Sequence, residues 1–261
     1  MRSLIILKLG GSIVTDKRGG KPVVNTRRVK RLAREVASAK RSPLILLYGG
    51  GSFGHPLAHK YQLSGRALSR DSLVGAGKTI SAMRELGGAL TDVFLDVGVP
   101  VVPLQTSSFV QERKGRIIIT NYSIIEDILL HGGVPLLGGD VILADHRRTA
   151  IASADRLASE LVRHFHSRRL LFATDVNGVY KRFPPRAKES PLDIIRRGEL
   201  RDAAKAQTSE RTALDVTGAM AGKLRSLLSL RNCEVNIFSG LIPGVLRNVL
   251  RGEMHGTRVV L

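Results

Sequence analysis

Short apolar runs closed by glycine or a polar turn alternate along the chain with longer stretches in which apolar residues recur every three or four positions. The runs SLIILKL (3–9), LILLY (44–48), VPVVPL (99–104), VPLLGG (134–139), LLFA (170–173) and VNIF (235–238) predict buried strands. Helical spacing predicts a helix over about 26–41 through Val29, Leu32, Ala33, Val36 and Ala37, with Asn25 or Thr26 as its cap. A longer helix opens at Gly75 to Thr79 and reaches about Val97 on Ile80, Met83, Leu86, Leu90, Val93, Phe94 and Val97. Ser153 reads as the cap of a third, which carries Asp155 in its first turn and ends near Phe165. Hairpins are predicted at 108–120, turning on Lys114-Gly115, and at 141–152, with a short helix between them at 121–131 capped by Asn121. The last third holds a helix over about 219–231 bearing Lys223, a helix begun by Pro243, and a closing strand at 257–261. IVTDKRGGK (13–21) and PPRAKESP (184–191) predict irregular chain. Strand, helix, strand in this order implies right-handed crossovers and parallel pairing. The expected fold is α/β, a three-layer αβα sandwich about a mainly parallel central sheet. It forms one compact body, split functionally into residues 1–165 and 166–261.

Two glycine loops interrupt this rhythm. In YGGGSFGH (48–55) a buried strand delivers three glycines, where backbone amides are free to face a ligand. His55 precedes Pro56, which is expected to open a helix, so unpaired N–H groups and a positive dipole end would make an anion site with an imidazole at its lip. KLGGS (8–12) has the same design, with Lys8 at the strand's end beside amides that can approach a phosphate. Parallel pairing of the two strands puts both loops at one sheet edge, facing one crevice. Taken singly, Lys8 is a solvated lysine and His55 a surface histidine; the repeated design is what points to phosphate.

Composition narrows the choice. At 261 residues the chain can bury a large core. The net charge of +19 would suit a polyanion, but the basic residues are dispersed, and with aromatics at 4% stacking platforms are scarce, so no nucleic-acid partner is expected. Cys233 is the sole cysteine, which fits a reducing cytosol rather than a disulfide framework. No apolar run is long enough for a membrane span, and a cytoplasmic protein is expected. SLVGAGKT (72–79) imitates a phosphate-binding loop, yet Ser72 stands where the motif needs glycine and no strand precedes it. His55 and His59 share an i, i+4 spacing, but HPLAH lacks the glutamate and third ligand of a zinc site, and no residue is assigned to a metal.

Taken together, KLGGS (8–12), DK (16–17), GGGSFGH (49–55), TDVNGVY (174–180) and DVTGAMAGK (215–223) resemble the amino acid kinase family over nearly the whole chain. The histidine in GGGSFGH and the placement of Lys17 are similar to members that phosphorylate isopentenyl phosphate in isoprenoid synthesis. The resemblance implies ATP in the C-terminal half, the acceptor in the N-terminal half, Mg²⁺ between phosphates, and a homodimer. It implies that Lys8, Gly10, Gly11 and Ser12 hold ATP phosphates, with Gly51 on the ATP side, Asp175 and Tyr180 by the nucleotide, and Lys223 by its phosphates. Lys17 would stabilise the transferring phosphoryl group, and Gly50 and His55 would bind the acceptor phosphate. Asp155 would organise Lys8 and Lys17, and Ala154 would lie at the acceptor. With the acceptor phosphate at His55, a short isoprenoid tail would run into apolar surface, and the helical spacing of Met83, Leu86 and Leu90 offers a floor for it, Met83 and Leu86 foremost. Two positions depart from the family pattern: Ala154 and Ala219 stand where it carries glycine. Fosfomycin or UMP as acceptor, or a basic nucleotide- or nucleic-acid-binding sensor, are the alternative readings.

Overall fold

The structure, a computed structural model, describes residues 4–18, 20–39, 42–183, 185–186, 189–207 and 219–261. Its first part runs β1 (Ile5–Leu9), α1 (Gly11–Val14), β2 (Thr15–Arg18), β3 (Lys21–Val24), α2 (Thr26–Ala39), β4 (Leu44–Tyr48), α3 (Gly51–Lys60) and α4 (Arg70–Leu95). The middle holds β5 (Val101–Leu104), α5 (Thr106–Phe109), β6 (Val110–Arg113), β7 (Arg116–Ile119), α6 (Ser123–Leu130), β8 (Val134–Gly138), β9 (Asp140–Ala144) and β10 (Arg148–Ala152). Then follow α7 (Ala154–Phe165), β11 (Arg169–Thr174), β12 (Ile194–Arg196), α8 (Leu200–Ala206), α9 (Ala219–Leu227), β13 (Glu234–Ser239), α10 (Val245–Arg251) and β14 (Thr257–Val260).

Eight strands form the central sheet in the order β12-β14-β13-β11-β1-β4-β8-β5. All neighbours are parallel except β13 and β14. The strands read as unbroken apolar runs because both faces are covered. Ile5, Leu7 and Leu9 of β1 join Leu44 and Leu46 of β4 under α2, α4 and α10. Ile6, Ile45, Leu47, Leu170 and Phe172 face the other way, against α7, α8, α9 and a four-stranded sheet β10-β9-β6-β7. The three layers expected from the sequence are present, and parallel β1 and β4 bring both glycine loops to the same edge.

Several local expectations are corrected. β2 and β3 pair as a hairpin where irregular chain was expected: Thr15 pairs with Val24 and Lys17 with Pro22, and Gly20 turns at φ 77. The long helix starts at Arg70, because Ser69 accepts from the Ser72 amide at 3.2 Å and Ser72 answers as a capping box. The apparent phosphate loop at 72–79 is therefore helix interior. Pro56 lies inside α3, which begins at Gly51. A positive φ of 47 at Gly51 turns the chain into helix at once, five residues earlier than the proline suggested. Asn121 makes a turn ahead of α6, accepting from the Ser123 amide at 3.1 Å, while Tyr122 is the cap residue. The helix expected at Pro243 starts at Val245, after Gly244 at φ 85. β12 and α8 were not foreseen: a three-residue edge strand and a seven-residue helix carry too little periodicity to register. Asp215, Val216, Thr217 and Gly218 lie outside the described residues, as do the surroundings of Ala219, which opens α9.

Candidate functional site

Gly10, at the end of β1, donates its amide to Ala173 O at 2.8 Å and caps the four-residue helix α1 in an extended conformation. Gly49 leaves β4 donating to Leu9 O at 3.0 Å, which binds the second loop to the first strand. The loops touch backbone to backbone. A Cβ on Gly11 would overlap the amide of Gly51, and one on Gly49 would come within 2.8 Å of the Gly11 amide. Thr15 fastens the junction: its hydroxyl donates to Gly11 O at 2.8 Å and accepts from the Ser52 amide at 3.0 Å. Ser52 Oγ in turn donates to Asp16 O at 2.7 Å. One side chain thus ties both loops to the β2–β3 hairpin.

Lys8 projects from β1 into this junction and meets Asp155 at 3.0 Å, although both residues are buried. Lys223, from α9, reaches the same carboxylate with Nζ 3.1 Å from each oxygen, and lies 4.3 Å from the centroid of the Phe172 ring. Asp155 can sit there because Ser153 caps α7, accepting from the Arg156 amide at 3.2 Å, and a carboxylate suits the helix's positive end. Burial opposes ionisation of Asp155, but Lys223 and then Lys8, with hydrogen bonds from both, hold its carboxyl at about 2. Lys223 is pushed down to about 8, mainly by burial and further by Lys8, against the support of Asp155. Two ammonium groups on one carboxylate leave a net positive charge facing open space, which suits phosphate oxygens.

Two cavities meet at this point. The larger, about 670 Å³, is lined by Lys8, Gly10, Gly11, Ser12, Lys17, Gly51, His55, Asp155, Asp175, Tyr180 and Lys223 among others. The smaller, about 70 Å³, is lined by Lys8, Gly11, Gly50, His55, Met83, Ala154 and Asp155 among others. Lys8, Gly11, His55 and Asp155 line both. His55 comes from the second turn of α3 rather than its start, and Lys17 is exposed on strand β2 rather than in an irregular loop. Leu86 lines neither cavity: it is fully buried in the core between α4 and the sheet, while Met83, three residues earlier, lines the smaller one. Lys17 is absent from the ion pairs of Asp155, which engage Lys8 and Lys223 instead.

Comparison with known proteins accords with this geometry. The profile of the amino acid kinase family matches residues 3–238. The chain belongs to the amino acid kinase family. It is 35% identical to isopentenyl phosphate kinase from Methanothermobacter thermautotrophicus and 30% identical to that from Methanocaldococcus jannaschii, in each case over 98% of both chains. A crystal structure of an isopentenyl phosphate kinase superposes with a TM-score of 0.84 at 32% identity, covering 98% of this chain and 99% of that one.

Within this amino acid kinase fold the sequence left several wall residues unnoticed. Thr15 escaped because 13–21 read as loop, and Asp16, although part of the DK motif, was given no role; a threonine beside an aspartate ahead of a turn was the available signal. Thr174, Gly178, Phe183 and Gln207 also line the larger cavity, Gln207 donating to Tyr180 O at 2.6 Å. In the smaller cavity one unforeseen residue is Asp140, buried at the end of VPLLGG. Desolvation raises its pKa, although Gln105 donates to it at 2.5 Å and the Val141 amide at 2.8 Å.

Proposed function

We propose that this chain transfers the γ-phosphoryl group of ATP to the phosphate of isopentenyl phosphate, giving isopentenyl diphosphate and ADP for isoprenoid synthesis. The observation that carries this reading is the shared wall: Lys8, Gly11, His55 and Asp155 border a roomy cavity on one side and a small one on the other. ATP occupies the larger cavity, with Gly10, Gly11, Ser12 and Gly51 presenting backbone to its phosphates and Asp175 and Tyr180 beside the nucleoside. The acceptor phosphate rests at Gly50 and His55. Its short apolar tail enters the smaller cavity, past Ala154 and Met83.

A phosphate monoester is already anionic near neutral pH, so no base is needed to create the nucleophile. The difficulty is bringing two anions into line, which positioning and positive charge resolve. Lys8 and Lys223 hold phosphate oxygens while Asp155 fixes both ammonium groups, and Lys17 reaches the transferring group from the hairpin. His55 donates a hydrogen bond to the acceptor phosphate and positions it, without abstracting a proton. Among the described residues no cluster of three His, Cys, Asp or Glu side chains is placed to hold a metal, and Asp155 is engaged by two lysines. Phosphate oxygens would therefore carry Mg²⁺, which neutralises their charge when bound. Residues 1–165 serve the acceptor and 166–261 the nucleotide, although Lys8, Lys17 and the first glycine loop cross that division.

We also assign the protein to the cytoplasm as a homodimer. No helix of the described residues is long and apolar enough to cross a membrane. The sheet ends at β5, near which Leu95, Val102 and Leu130 expose apolar surface that a second copy would cover. Incubation with Mg-ATP and isopentenyl phosphate, UMP or fosfomycin in separate reactions, following ADP, tests the reading. Turnover is expected with isopentenyl phosphate; turnover confined to UMP or fosfomycin would overturn it. Inactivity with all three alongside salt-sensitive RNA binding would instead support the sensor.

A further inference from the structure

The β2–β3 hairpin carries Lys17, yet two isolated strands are marginally stable in water and hold no fixed position by themselves. Its anchorage falls at Thr15 and Asp16. Besides the Thr15 and Ser52 bonds, Asp16 Oδ2 accepts from Asn25 Nδ2 at 2.5 Å, and Asp16 Oδ1 lies 3.6 Å from Arg28 Nη1. That same Arg28 nitrogen donates to Ile13 O at 3.0 Å and to Ser12 O at 3.3 Å, carbonyls of α1 left without helical partners. Arg28 itself is fixed in the first turn of α2, its amide donating to Asn25 Oδ1 at 2.9 Å. One guanidinium therefore joins the helix start, the first glycine loop and the hairpin root. Strand alternation turns the next residue, Lys17, to the face opposite Asp16.

We propose that Arg28 is a positioning residue: by clamping Asp16 to the carbonyls of Ser12 and Ile13 it sets where Lys17 stands in the larger cavity. Arg28 touches no reacting group and acts through Lys17, so the inference rests on the role given to Lys17 above. A double-mutant cycle of Arg28→Ala and Lys17→Ala, read as kcat beside the dissociation constant of ATP, tests it. Arg28→Ala alone should lower kcat by about 10-fold or more, since small misplacements of catalytic groups are costly. ATP affinity should stay near wild type, and Arg28→Lys should recover part of the rate. In the Lys17→Ala background Arg28→Ala should change nothing further. An equal fold-loss in both backgrounds would make Arg28 merely structural and overturn the proposal, as would an unchanged kcat in Arg28→Ala. Should Lys17→Ala alone keep the wild-type rate, the role of Lys17 falls first and the proposal with it. If Arg28→Ala fails to fold, Asp16→Asn, which keeps the shape and removes the charge, takes its place in the same cycle with the same readings.

Discussion

The two glycine loops look alike in sequence and behave differently in the fold. Gly10 is extended and introduces a four-residue helix, whereas Gly50 is already helical and Gly51, at φ 47, starts a ten-residue one. A Cβ on Gly10 would press on Ala173 O at 3.1 Å, in the half assigned to the nucleotide. A Cβ on Gly50 would press on Met83 Sδ at 3.2 Å, beside the smaller cavity. The same residue type thus brings backbone to the wall of two different cavities, and the neighbours decide which. Where the loops meet, at Gly11 and Gly51, there is room for no side chain on either.

The sharpest way to break this pairing is to add a methyl group at the junction. In Gly11→Ala the Cβ would overlap the Gly51 amide, and in Gly51→Ala it would overlap Thr15 Oγ1 and lie 2.7 Å from Gly11 O. Backbone cannot yield there as a flexible side chain would, and overpacking of this kind costs about 1–3 kcal/mol or more. Both variants are expected to lose activity by about 100-fold or more through displaced phosphate contacts, with a lowered melting temperature. Gly50→Ala, which meets the flexible Met83 sulfur, should be milder. Comparable rates for Gly11→Ala and Gly50→Ala would contradict the asymmetry.

Next in size are the histidines. His55 lines both cavities and is half-buried; His59, one turn on, is exposed. Removing a charge-assisted hydrogen bond at a phosphoryl-transfer site costs roughly 2–4 kcal/mol, so His55→Ala should lose about 30- to 1000-fold in kcat/KM. His59→Ala should stay within about 2-fold of wild type. Equal, small effects would remove His55 from the acceptor side.

A smaller effect follows from the buried lysine. Lys223 is held down from 10.5 to about 8, so raising the pH through that value discharges it in the free enzyme. kcat/KM for ATP should accordingly fall as pH rises through about 8, by up to 10-fold. Stability rises with pH in both windows, although Lys223 contributes a cost and Asp155 a gain. Charged Lys223 burdens the fold below about 8 and the burden lifts as pH rises; Asp155 stabilises at neutral pH and loses that contribution as pH falls from 3.8 toward about 2. A flat profile for kcat/KM between about pH 7 and 9 would show that Lys223 keeps its ordinary affinity for protons.

The smallest and most discriminating change concerns the tail. Met83→Ala should raise the ratio of catalytic efficiencies for geranyl over isopentenyl phosphate, each added buried CH₂ being worth about 0.8 kcal/mol. Leu86→Ala should leave that ratio alone and cost about 2–5 kcal/mol of stability as a core cavity. A ratio that moves in Leu86→Ala and not in Met83→Ala would place the pocket on the other side of α4.

By itself the sequence determined the layers and the chemistry. Unbroken apolar runs need cover on both faces, which dictates a parallel sheet between helices, and glycine after such a run leaves backbone amides at the sheet edge. Lys8 and the two glycine loops were legible because strand order alone brings strand ends together. Tertiary structure decided the rest. Lys223 and Asp155 stand 68 residues apart in sequence, and nothing in either neighbourhood announces that they share a buried ion pair. Met83 and Leu86 share an apolar face of α4, yet only packing determines that one borders a cavity and the other is core. The hairpin escaped detection because its hold on the fold comes from contacts with Gly11, Ser52, Asn25 and Arg28 rather than from the propensities of its own residues. Periodicity reports which side of an element is buried, but only long-range contacts determine what lies on that side.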